Sequence, residues 1–65
     1  MEELTITVLD DETRHSVRML RSRAGSLAAQ AVAVPEPLAT AYRRRARELE
    51  LEAFLVEQRG AARVA

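Results

Sequence analysis

The sequence predicts a mainly α-helical fold, in which a short N-terminal β-strand precedes an antiparallel hairpin of two helices. Polar and apolar residues first alternate, apolar residues then recur at intervals of three and four, and a "VPEP" segment divides that helical pattern in two. The length of 65 residues allows one small domain. The expected order is a strand over 4–9, a helix over 11–33, a turn over 34–37, a helix over 37–59 and a tail over 60–65.

The N-terminal segment has the alternation that is typical of a half-buried strand, with Leu4, Ile6 and Val8 on one face and Thr5 and Thr7 on the other. Nothing else in the chain reads as β, so the backbone groups of this strand have no partner in the same chain. We therefore expect its apolar face to cover the helices. Its open edge is expected to pair with the same strand of a second subunit or with a strand of a larger partner.

The first helix is expected to begin at Asp10 or Asp11, since aspartate is a favoured N-cap residue and acidic side chains suit a helix N-terminus. Its apolar stripe keeps its spacing through Gly25, which favours one long helix. The alternative is a turn in which Gly25 ends one helix and Ser26 begins another. The stripe consists of Val17, Leu20, Ala24, Leu27, Ala31 and Val34.

The second helix is expected to end near Gly60, because glycine is common just past a helix C-terminus. Leu51, Phe54 and Leu55 fall outside its main stripe, so this part of the helix is apolar on more than one side. A single neighbouring helix cannot cover it, and a dimer forming a four-helix bundle is the simplest closed solution. The main stripe consists of Leu38, Tyr42, Ala46, Leu49, Ala53 and Val56.

The order of charges favours antiparallel packing, because the arginines of the first helix then face the glutamates of the second. The arginines at the start of the second helix have no acidic residue opposite them. Arg43, Arg44 and Arg47 therefore form either a solvated helix face or a patch for an anion or an acidic partner. The expected pairs are Glu12 with Arg59, Arg14 with Glu57, Arg21 with Glu50 and Arg23 with Glu48.

The composition argues against several classes of function. The formal net charge is zero, which argues against a general electrostatic grip on nucleic acid. The chain has no cysteine, and His15 is its single histidine, so we expect no disulfide, metal or cofactor site and no catalytic set. No apolar run is long enough to span a bilayer, and the N-terminus lacks the basic start of a signal peptide. We expect a cytoplasmic, non-enzymatic protein with no membrane partner.

The stretch "LTITVLDDE", the helix after it and the "AGS" segment resemble the ribbon-helix-helix DNA-binding proteins, which include many antitoxins. The resemblance covers residues 4–26. It implies a dimer whose paired strands lie in the major groove of DNA. Thr5 and Thr7 would then face the bases, and the backbone at Ser26 would contact a phosphate.

The preferred interpretation is a small homo-oligomeric interaction or structural protein, or a subunit of a larger assembly. The partner is then a second copy of the chain, a larger protein, or both. The alternative is a ribbon-helix-helix transcriptional regulator or antitoxin that binds DNA as a dimer, and only this alternative calls for nucleic acid. The expected oligomer interface consists of Leu4, Ile6, Val8, Leu51, Phe54 and Leu55.

Overall fold

Two α-helices, joined by a short turn, pack against each other as an antiparallel hairpin. The computed structural model describes residues 10–64, with side chains over 10–61. Helix α1 spans Asp11–Ala31 and helix α2 spans Leu38–Val64. The predicted helical hairpin is confirmed. The predicted strand and its residues lie outside the described residues: Leu4, Thr5, Ile6, Thr7 and Val8.

Helix α1 begins where its cap was predicted. Asp10 has an extended backbone, and its carboxylate accepts a hydrogen bond from the backbone N–H of Thr13 at 2.6 Å. That bond satisfies one of the amide groups that have no partner inside the helix. Asp11 and Glu12 add negative charge to the first turn, where it stabilises the helix dipole.

Gly25 lies inside α1, as the unbroken apolar spacing predicted. The helix runs through it, and no glycine that the structure describes has a positive φ. The alternative turn, with Ser26 at the start of a second helix, is therefore wrong.

Helix α1 ends at Ala31, two residues before the predicted boundary. The amides of Val32 and Ala33 donate to carbonyl groups only three residues back, at 3.3 and 3.0 Å. Bonds of this span tighten the last turn of a helix. The tightening ends α1 and directs the chain towards Pro35.

Helix α2 begins at Leu38 because Glu36, which precedes the helix, accepts hydrogen bonds from its N-terminal turn. The Glu36 carboxylate accepts hydrogen bonds from the backbone N–H of Thr40 at 3.2 Å and from its hydroxyl at 2.6 Å. The same carboxylate accepts a bond from the Arg43 guanidinium at 3.0 Å. Glu36 thus caps the N-terminus of α2, as Asp10 caps the N-terminus of α1.

The predicted end of α2 at Gly60 is wrong, and so is the tail that began there. The helix continues to Val64. Gly60 is buried and lies seven residues after Ala53, on the same face. Burial at this position outweighs the preference of glycine for a cap position.

The buried residues recur every seven positions on both helices, which is the spacing of a coiled-coil contact. Pairing Val17 with Ala53, and Ala24 with Ala46, keeps one antiparallel register along the hairpin. Leu49 is the largest fully buried side chain. We call this contact the seam. Its buried apolar members are Val17, Ala24, Ala31, Ala39, Ala46, Leu49 and Ala53.

The seam confirms most of the two predicted stripes. Leu20 and Leu27 are partly buried and pack on a core of Ala24, Ala46 and Leu49. One stripe residue was assigned wrongly, since Leu38 is 43% exposed and Ala39 takes its place in the seam. Both positions fit helical spacing, and the closely packed turn end of the hairpin accepts the smaller side chain.

An ion pair between the helices differs from the predicted one. Arg21 binds Glu57 with 2.9 Å between Nη2 and Oε1, instead of Glu50. Side chains on an α-helix lean towards its N-terminus. In an antiparallel pair, the tips of two side chains therefore meet when the Cα atom of each residue lies about one turn C-terminal to the level at which the tips touch. This geometry favours Glu57 over Glu50 as the partner of Arg21.

Candidate protein interface on helix α2

The side of α2 that faces away from α1 carries the apolar residues that the seam does not use. Leu51, Phe54 and Leu55 are 57, 49 and 45% exposed. With about 100° between successive helix residues, Leu51 lies roughly 170° from the middle of the seam, and the other two lie about 130° away on either side. We call this side the outer face of α2. Helix α1 cannot cover it.

The outer face continues towards the turn with two arginines. Arg44 and Arg47 are exposed, and with Leu51 they follow the same three-and-four spacing. Within the part of the chain that the structure describes, neither arginine forms an ion pair. In the other direction, the face ends in uncharged residues, Gln58 and Ala61.

The other arginines of this region have acidic partners, although none was expected near them. Arg43 binds Glu36 at 3.0 Å, and Arg45 binds Glu48 at 3.1 Å. The expectation considered only acidic residues on α1, whereas these partners lie before α2 and on α2 itself. The predicted patch of Arg43, Arg44 and Arg47 is thus divided, because Arg43 supports the start of the helix. The Glu48 carboxylate therefore binds an arginine of its own helix, Arg45, and not its predicted partner, Arg23.

The pKa of Glu36 is lowered from the ordinary value of a glutamate. The hydrogen bond from the Thr40 hydroxyl is the main cause, and the bond from Arg43 adds to it, since both stabilise the charged carboxylate. The Glu36 side chain is exposed, so this shift reflects local capping of α2 and not an enclosed site.

The two sides of the hairpin differ in character. One side carries a groove whose lining includes Arg14, Arg18 and the Arg21–Glu57 pair. The other carries a groove whose lining includes His15, Met19 and Leu20. Both grooves are open to solvent, and neither encloses a ligand-sized cavity.

Over the described residues, no polar or charged side chain is buried, and no cluster of histidine, cysteine or acidic residues could hold a metal ion. No helix in this part of the chain combines the length and the apolar character needed to cross a bilayer. The chain has no match among models of known protein families, curated proteins or solved structures.

The sequence identified Leu51, Phe54 and Leu55 as a surface that needs a cover, and the structure places them together. Their continuity with Arg44 and Arg47 was missed. The signal was present in the numbering, because positions 44, 47, 51, 54 and 58 follow a single helical face. It was overlooked because the arginines and the apolar residues were considered as separate features.

Proposed function

We propose that this chain is a small, non-enzymatic interaction protein that associates with itself, alone or within a larger assembly, through the outer face of α2. The observation that carries the proposal is the exposure of Leu51, Phe54 and Leu55 on the side opposite the seam. Each of these side chains leaves about half of its surface in water. An apolar patch of this kind on a soluble domain marks a contact with another molecule.

Chain length supports the same function. A protein of 65 residues buries a small share of its surface, and this one has neither disulfides nor a metal cluster among its described residues to compensate. Most of the buried side chains that the structure describes are alanines, which contribute little apolar area each. Covering three large apolar residues would add substantially to that modest core. Association is therefore expected to stabilise the folded chain.

The test compares the full chain with a variant that carries Leu51→Gln, Phe54→Gln and Leu55→Gln. Glutamine is a good helix former, and these positions lie on the side of α2 that faces away from α1, so circular dichroism should report the same helix content. Light scattering should show an oligomer for the unchanged chain and a monomer for the variant. An unchanged mass for the variant would refute the role of this face.

An electrophoretic shift assay across a salt series distinguishes the DNA-binding alternative from the proposed interaction protein. Specific binding that weakens steeply with salt, and that is lost in a Thr5→Ala, Thr7→Ala double variant, would favour the ribbon-helix-helix regulator. Self-association without such binding would favour the interaction protein.

A further inference from the structure

We propose that the outer face of α2 binds the same face of a second copy in an antiparallel orientation, with the arginine end of each helix at the C-terminal end of its partner. This inference rests on the proposed function and specifies its partner. It starts from the order of residue types along the face, which runs from Arg44 and Arg47 through the apolar residues to Gln58 and Ala61.

Such a face is complementary to itself in only one of two orientations. If the helices ran parallel, Arg44 and Arg47 would each lie beside the same arginine of the other copy. The helix axes would be about 8–10 Å apart, so like charges would face each other at the edge of an apolar contact. In the antiparallel orientation, the two arginine pairs lie at opposite ends of the dimer.

The antiparallel orientation also gives the arginines a partner. If the two-fold axis passes near Phe54 and Leu55, Arg47 lies about 11 Å and Arg44 about 16 Å from that axis, measured along the helix. On the same side of the axis, the α2 helix of the second copy ends at Val64, about 14 Å from the axis. The last carbonyl groups of a helix lack partners within the helix and carry the negative end of its dipole. Both arginines lean towards their own N-terminus, and thus towards those carbonyls.

The resulting dimer is a row of four helices, with the two α2 helices at its centre and one α1 at each edge. This order follows because Leu51 lies almost directly opposite the seam. Each α2 is then covered on two sides, in agreement with its apolar character on two sides. A square bundle would instead require α1 to contribute to the contact between the copies.

Two measurements test the orientation. Because the chain has no cysteine, single introduced cysteines can carry spin labels. Labels at Gln58 and at Ala41, both exposed, lie at different distances from the proposed axis. The antiparallel dimer separates the two copies of position 58 by about 10 Å along the helix and the two copies of position 41 by about 40 Å. A parallel dimer gives the same short distance at both positions.

The second measurement uses the double variant Arg44→Gln, Arg47→Gln. In the antiparallel dimer it should raise the dissociation constant several-fold and reduce the dependence on salt, because favourable charge contacts are lost. In a parallel dimer it should lower the dissociation constant by relieving repulsion. Arg18→Gln, which removes an exposed arginine of α1, is the matched control and should leave association unchanged.

The outcomes separate the two proposals. Equal short distances, or tighter association of the double arginine variant, would overturn the antiparallel orientation and leave self-association standing. A monomer at every concentration would overturn both. A long distance at position 41, a short one at position 58 and weaker association of the arginine variant are the results we expect.

Discussion

Replacing Phe54 with alanine removes the largest side chain of the outer face of α2 without touching the seam. Phe54 projects away from α1, and the residue is 49% exposed in the single chain. Alanine is the better helix former, so the helix itself should tolerate the change. We expect Phe54→Ala to leave the hairpin folded and to weaken association between copies.

The magnitude follows from the exposed area. A phenylalanine side chain has about 200 Å² of surface, so about 100 Å² of Phe54 remains to be covered by a partner. At about 25 cal/mol per Å², this cover contributes about 2.5 kcal/mol per copy. A symmetric dimer loses the contribution twice, or about 5 kcal/mol, which raises the dissociation constant on the order of a thousand-fold.

The assay is sedimentation equilibrium of the variant over a range of concentrations, with circular dichroism to confirm its helix content. Met19→Ala is the matched control, because Met19 is 46% exposed but lies on α1. It should change the dissociation constant only a few-fold. Equal effects of the two substitutions, or no effect of Phe54→Ala, would show that the outer face does not hold the copies together.

Three further substitutions test the hairpin itself, each by thermal unfolding at fixed protein concentration. Gly25→Ala should stabilise α1 by about 1 kcal/mol, since no heavy atom lies within 4 Å of the added methyl group, and a lower melting temperature would contradict a helical Gly25. Glu36→Gln should lower the melting temperature at pH 7. A lowered carboxyl pKa contributes its full stability above the unfolded value of 4.5 and loses it as the pH falls through the folded pKa, so the difference between the two proteins should shrink over that range, and a constant difference would contradict the capping role. Arg21→Ala should cost no more than about 1 kcal/mol, because its bond to Glu57 is exposed, and a larger loss would mean that the pair is more than a surface contact.

The helices and the seam could be predicted because apolar spacing records which face of a helix is covered. The continuous stripe through Gly25 predicted a single helix, and the structure has one. The apolar residues beyond the main stripe of α2 likewise predicted a second surface. Local preferences were less reliable where packing competed with them. Gly60 suggested a helix end but occupies the next buried position of the seam, and the helix continues past it.

Details of side-chain pairing could not be predicted, because linear spacing omits the tilt of side chains along a helix. That tilt moved the partner of Arg21 from Glu50 to Glu57. The bonds of Arg43 and Arg45 were missed for a related reason, since acidic residues were sought only on the opposite helix. The expected roles of Leu4, Ile6 and Val8 remain predictions, and so does their pairing with a second chain.

Sedimentation equilibrium of the unchanged 65-residue chain tests the central claim most directly. If the outer face of α2 is covered by a second copy, the measured mass should rise with concentration towards twice the 7.2 kDa of one chain. The melting temperature should rise with it, because association stabilises the folded state. A stable, fully helical species of 7.2 kDa at every concentration would contradict the account.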